Sequence, residues 1–222
     1  QHAHAAWEAG EFDEMVIPYA GVTRDNNIRT DTTLEKMGTL RTVFDRGSKA
    51  SLTAANSTPL TDGASSVLLA SEEWAKAHKL PVQAYLTFSR NASVDFVHDE
   101  GLLMAPTVAM AEMLQMAGLT LQDFDFYEIH EAFAGQVLCT LKAWNDEDYC
   151  KNRLGLPDKL GEIDRSKLNV LGGSVAMGHP FAATGARIIA TLSHLLEKKG
   201  SGRGLISICT AGGMGVTAII ER

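Results

Sequence analysis

A chain of 222 residues, 45% hydrophobic and 21% charged, has the make-up of a globular protein: one large domain, or one domain plus a piece of another. Its net charge of −7 argues against broad nucleic-acid binding, which leaves a basic footprint, and no apolar run nears the roughly 20 residues that span a bilayer. Three cysteines without a CxxC pair speak against a disulfide framework or a structural zinc site and fit a reducing compartment.

The opening QHAHAAWEAGEFDEM shows no secretory leader and reads as a helix over residues 1 to about 13, with Ala5, Ala6 and Trp7 as its packing face. With nothing before it, the start suggests a piece of a longer protein. His2 and His4 are two apart, do not share a helix face, and read as solvated rather than metal-ligating. MVIPYAG predicts a short strand stopped by Pro18, and VTRDNNIRTDTT a polar turn. A short helix begins at Thr33, with Thr32 as its cap and Glu35 as third-residue partner. Between Arg24 and Lys49 six basic residues face four acidic ones, either a solvated surface or a modest attraction for a phosphorylated ligand.

Ala64 to Ala70 is a run of strand length with the character of a strand buried on both faces. SEEWAKAHK predicts a helix capped by Ser71, VQAYLTFSRNAS a strand, and TVAMAEMLQMAGL a helix that follows Pro106 and stops at Gly118. DFYEI predicts a strand, from whose end His130 opens a small-residue turn into a helix carrying Phe133, Val137, Leu138 and Leu141. NDEDYCKNRLGLPDKLGEIDRSK reads as a charged, irregular surface insertion. In NVLGGSVAMGHPFAATGAR, His179 sits on a Gly-rich turn just before a helix with Ile188, Leu192, Leu195 and Leu196 on one face. GLISIC and GVTAIIE are two strands joined by TAGGM, with Cys209 closing the first. The alternation predicts an α/β layered domain from about residue 59 onward.

His130, His179 and Cys209 each lie at a junction after a strand or before a helix, in a turn of small residues. Such ends converge in one crevice of an open α/β sheet. A histidine and a cysteine together hold a thiolate or pass protons to and from carbon and sulfur, which suggests acyl transfer. The plain alternatives are a tight packing turn with an incidental histidine, and for Cys209 a buried structural thiol.

HEAFA, GGSVAMGHPFAATGAR and CTAGGMG, in this order, resemble the C-terminal signatures of the thiolases, and NSTPLTDGAS resembles the return from the thiolase loop domain to the core. The likeness covers essentially the whole chain. His in HEAFA and NVLGGS before GHP make it most similar to the 3-ketoacyl-CoA thiolases that form the β subunit of fatty-acid oxidation complexes. The resemblance implies an α/β thiolase fold: residues 1–58 as the remainder of the loop domain, and residues 59–222 as the C-terminal half of a duplicated αβαβα core. It implies thiolytic cleavage of 3-ketoacyl-CoA by CoA to acetyl-CoA and a shortened acyl-CoA, in the β-oxidation of fatty acids. Coenzyme A is then a substrate, and neither a cofactor nor a metal is expected.

By the same resemblance His179 activates a nucleophilic cysteine, Cys209 is acid and base at the α-carbon of the acetyl unit, and His130 stabilises the thioester enolate oxygen. The backbone N–H of Ala211 serves an oxyanion hole. Thr58 and Phe133 line the pantetheine arm, and Phe181 with Ala182 departs from the commoner Ile-Gly at the acyl pocket. The family nucleophile lies in the N-terminal half, and neither Cys139 nor Cys150 replaces it. The chain is therefore expected to be inactive alone and to need an N-terminal half, whether it was cut from a longer protein or its other half is a separate chain. A homodimer, a hydratase–dehydrogenase α subunit, and the bacterial cytoplasm or mitochondrial matrix are further implications. A related condensing enzyme is disfavoured by Cys209. A non-catalytic CoA- or lipid-binding module or scaffold subunit is the reading from another class.

Overall fold

GLISICT and MGVTAIIE alternate apolar side chains toward two opposite faces, and both faces need a cover. In the computed structural model, which describes residues 1–222, they become β3 (Arg203–Thr210) and β4 (Met214–Glu221), an antiparallel pair turning at Ala211–Gly213. β1 (Tyr85–Ser93) lies antiparallel on the far side of β4, and β2 (Phe126–Ile129) lies parallel beside β3, so the sheet order is β1-β4-β3-β2.

Leu205 and Ile219 face one side with Tyr127 and Ile129. There they meet Met110, Met113 and Leu114 of helix α4 (Ala105–Ala117) and Val137 and Trp144 of helix α5 (Ala134–Trp144). Their neighbours Ile206 and Ile220, with Ala218, face the other side and meet Ile188, Leu192 and Leu196 of helix α8 (Thr184–Lys199). The period-2 alternation of the strands thus sorts two cores onto two faces, giving helix–sheet–helix layers. α4 ends at Gly118, whose φ of 65° is the left-handed cap that the sequence predicts. All four expected apolar residues of α8 are buried.

Several expectations change. The first helix, α1 (His2–Glu8), is short; it buries Ala6 with Leu171 and Leu195 and Ala3 against Gly172, while Ala5 stays exposed. MVIPYAG is not a strand: Tyr19 and Val22 form only an isolated bridge, because Pro18 lacks a donor and no partner runs alongside. The next short helix, α2 (Leu34–Gly38), is capped by Thr33 rather than Thr32, since it is the Thr33 side chain that accepts from the Lys36 N–H. Ser71 caps α3 (Glu72–Ala77) as expected, accepting from the Trp74 N–H.

Ala64 to Ala70 joins no strand ladder, and Leu68 and Leu69 are 69% and 66% exposed, so the sheet begins at Tyr85 rather than at the strand expected over Ala64–Ala70. The insertion is not irregular throughout. Asp146 caps a helix, α6 (Glu147–Asn152), that buries Cys150 with Ala111 and Leu156, and Ile163 enters the main core.

Candidate active site

β2 delivers His130 to the end of the sheet. The His130 N–H donates to the Ser207 carbonyl at 2.9 Å, one more rung after the parallel ladder with β3. The chain then turns, and Glu131 is held by two donors: Asn169 Nδ2 at 2.8 Å and the Val175 N–H at 3.0 Å. Asn169 also brackets Ile129, donating to its carbonyl and accepting from its N–H, both at 2.9 Å. The NVLGGS turn is in this way bolted to the end of β2.

The turn leads into a single helical turn, α7 (Ser174–Met177), and then to Gly178 at φ 87°. A Cβ at Gly178 would lie 2.4 Å from the Thr61 side chain, so only glycine satisfies both its backbone angle and its space. His179 follows, donating its N–H to the Pro59 carbonyl at 3.2 Å and pairing its Nδ1 with Thr184 Oγ1 at the head of α8. Its ring lies 4.3 Å, centroid to centroid, from that of His130. Cys209, the penultimate residue of β3, stands opposite Gly215 of β4 and shares a small cavity with His130, Ser207, Gln136, Thr140 and Pro106. A Cβ on Gly215 would sit 2.5 Å from the Pro106 nitrogen; its absence lets α4 close over the thiol.

The remaining predicted residues flank this centre. Thr58 donates through Oγ1 to the Ser174 carbonyl at 2.7 Å and through its N–H to the Ala132 carbonyl at 3.0 Å. Phe133 precedes α5 and meets Phe44 edge-on at 5.5 Å. Phe181 is 74% exposed with its ring 5.1 Å from that of His179. Ala211 is exposed in the turn two residues beyond Cys209. Cys139 is exposed on α5, and Cys150 is buried with its thiol directed at the Ala143 and Trp144 carbonyls.

Burial sets the protonation states. It pushes the His130 pKa down to about 3, helped by His179 and Arg187, so the ring is neutral at pH 7. Burial, then Arg187, lowers His179 as well. Burial pushes the Cys209 thiol up to about 11, against the opposing pull of its own N–H and that of Ala132. At neutral pH the centre therefore holds two neutral imidazoles and a protonated thiol, a set able to donate and accept protons without prior ionisation.

Behind it lies a charge cluster that the sequence reading does not find. Glu128 of β2 is buried, with burial pushing its carboxyl up to about 8 against the pull of Arg187. Arg187 of α8 donates through Nη2 to Ser174 Oγ at 3.1 Å, while its Nε and Nη1 and the Glu128 Oε1 are buried without partners. Arg187 closes the GHPFAATGAR string and Glu128 sits in DFYEI; their charge was visible, their burial was not.

Residues 1–73 match the family model of the thiolase N-terminal domain and residues 81–222 that of the thiolase C-terminal domain. The chain is 45% identical over 227 aligned positions to 3-ketoacyl-CoA thiolases of Yersinia pestis and Yersinia pseudotuberculosis, covering 100% of this chain and 51% of theirs. Its structure is similar to the acetyl-CoA acetyltransferase of Bacillus anthracis (TM-score 0.81, 34% identity, 99% of this chain and 52% of that one). It is also similar to human mitochondrial 3-ketoacyl-CoA thiolase (TM-score 0.79, 31% identity, 100% and 52%), and that protein has a further structure in complex with CoA. No helix is long and apolar enough to cross a membrane. The chain spans about half the length of the curated relatives it matches; with both domain models matched, a helix–sheet–helix core shared with solved thiolases, and the histidines and cysteine of the three signatures at one end of the sheet, it belongs to the thiolase family.

Proposed function

We propose that this chain supplies the acid–base half of an acyltransferase site that cleaves 3-ketoacyl-CoA with CoA, releasing acetyl-CoA and a shortened acyl-CoA. One observation carries the reading: His179 packs on His130, and His130 shares a cavity with Cys209. In the proposed cycle a cysteine thiolate from the N-terminal half, its proton taken by His179, attacks the 3-keto carbon. The bond between the α- and β-carbons breaks, and its electron pair stays on the α-carbon as an enolate. His130 donates a hydrogen bond to the enolate oxygen, and Cys209 gives its proton to the α-carbon. A thiol held protonated by burial suits that donor role. Incoming CoA then gives its thiol proton to the Cys209 thiolate and takes the acyl group from the nucleophile, whose departing thiolate recovers its proton from His179. Ala211 would offer a backbone donor, and Thr58, Phe133 and Phe181 would border the substrate.

On this reading residues 1–58 are the loop-domain remainder and 59–222 the C-terminal core, with 59–73 falling inside the N-terminal family match. The setting is fatty-acid β-oxidation in the bacterial cytoplasm or mitochondrial matrix, in a homodimer able to take a hydratase–dehydrogenase α subunit. Its support is the bacterial and mitochondrial 3-ketoacyl-CoA thiolases to which the chain is similar.

The deciding assay is thiolysis of a medium-chain 3-ketoacyl-CoA by this chain alone, then with the N-terminal half supplied. Silence alone followed by turnover on addition is the expected result. Turnover by the chain alone would make one of Cys139, Cys150 and Cys209 the nucleophile and overturn the division of roles. Silence from a folded, assembled mixture would favour a non-catalytic CoA- or lipid-binding subunit.

A further inference from the structure

Each of the two histidines uses Nδ1 on a hydroxyl, and the hydroxyls have different second partners. Ser174 Oγ lies 2.9 Å from His130 Nδ1 and 3.1 Å from Arg187 Nη2. A guanidinium only donates, so Ser174 accepts from Arg187. Ser174 is fully buried, and its own O–H has one acceptor within reach, the His130 Nδ1. A proton on Nδ1 would make Ser174 accept twice and leave a buried hydroxyl with nowhere to donate, an arrangement native interiors avoid. Thr184 Oγ1 also touches two groups: His179 Nδ1 and, at 3.5 Å, the Pro180 carbonyl four residues back. A carbonyl only accepts, so it offers the Thr184 O–H a target outside the ring, a long form of the back-bond that a hydroxyl makes in a first helical turn. That leaves a lone pair facing the His179 ring, to accept from it.

We infer that Ser174 with Arg187, and Thr184 with the Pro180 carbonyl, are positioning residues that hold His130 and His179 in opposite neutral tautomers. His130 carries its proton on Nε2 and is a hydrogen-bond donor. His179 carries its proton on Nδ1 and keeps Nε2 bare as a base. Neither Nε2 has a hydrogen bond within the protein, and neither is among the buried unpartnered atoms, so both are free for a ligand. Two adjacent imidazoles with identical surroundings could exchange roles; here one accepts a proton and the other steadies an oxygen. The depressed pKa values of both rings keep them neutral, the only state in which a tautomer exists. What each Nε2 does rests on the proposed thiolase role, but the tautomers do not.

The test is imidazole ¹⁵N–¹H multiple-bond NMR at pH 7 on the full chain labelled at its seven histidines, with H130N and H179N assigning the two rings. The expected spectrum shows a bare Nδ1 for His130 and a bare Nε2 for His179; the same tautomer in both rings, or the reverse pair, overturns the inference. Ser174→Ala should move His130 toward a mixture and leave His179 unchanged, and Thr184→Val should do the converse. A folded S174A with the His130 pattern intact would remove Ser174 from the mechanism. Where S174A does not fold, Ser174→Cys, nearly isosteric and a weaker donor, must show a reduced bias. With the N-terminal half added, S174A should lower kcat at least tenfold with KM within about twofold. Inactivity of the unaltered mixture would sink the thiolase role while the spectra still stood.

Discussion

Glu128 is a costly residue near the site, a carboxyl only 1% exposed and with one oxygen without a partner. Its folded pKa of about 8 stands above the ordinary 4.5 because burial outweighs the pull of Arg187. Between those values the folded chain holds a proton that the unfolded chain releases. Stability from this group is complete below pH 4.5 and drains away as pH rises toward 8. Glu128→Gln does not titrate, so its melting temperature should gain on the wild type steadily from pH 5 to pH 8. A gap that stays constant across that range would mean Glu128 is ionised throughout. Cys209 makes a different prediction. In the assembled protein Cys209→Ala should lower thiolysis by about 10²–10⁴-fold, the usual worth of a positioned acid–base group, and unchanged turnover would refute its role. His130, His179 and Cys209 were legible in the chain because each is a reactive side chain in a turn of small residues. Ser174, Thr184 and Arg187 stood in the same quoted string, but what they do depends on which atom meets which. The Ser174 hydrogen-bond partners, 13 and 44 positions away, leave no periodic trace.

At the scale of elements, pattern reading succeeds where one element covers another. β3, β4, α4 and α8 carry full apolar faces, and their caps and breakers stand where the chain turns. It fails where apolar character is local but the partner is absent, as in MVIPYAG and Ala64–Ala70, since a strand exists only as a pair. It also missed the helix Glu147–Asn152, although Asp146 is a good cap accepting from the Tyr149 N–H at 2.9 Å, because charge density masked the one buried side, Cys150. One tight fit between elements is α4 on β4 at Gly215, which stands opposite Cys209. Gly215→Ala would press a methyl against the Ala105–Pro106 backbone and lift the start of α4. It should cost about 1–3 kcal/mol in denaturant unfolding, the typical price of overpacking, and widen access to the thiol. Faster alkylation of Cys209 by a small reagent would report that lift, while wild-type stability and reactivity would mean α4 is looser on the sheet than its geometry requires.

For the whole molecule, the four-stranded sheet leaves Leu68 and Leu69 outside it, in a segment without helix or strand that is anchored by Ser65, whose hydroxyl donates to the Ala183 carbonyl. Leu60 and Ile17 are exposed with them, and all four residues fall inside the stretch that matches the thiolase N-terminal domain. Exposed apolar residues scattered singly need no explanation, but a contiguous apolar segment rimmed by polar residues marks a surface that another body covers. If that body is the N-terminal half, the two leucines bury on assembly. At about 1.5–3 kcal/mol for each fully buried leucine side chain, replacing both with serine should weaken association at least a hundredfold. The fold of the chain itself should be untouched, because neither leucine enters its cores. Titrating the N-terminal half against wild type and L68S/L69S by sedimentation velocity separates the cases. Equal affinity with unchanged unfolding would mean the halves meet elsewhere. Weaker affinity with unchanged unfolding would place residues 64–70 in the joint, and would explain why a segment with the composition of a buried strand lies bare in this chain.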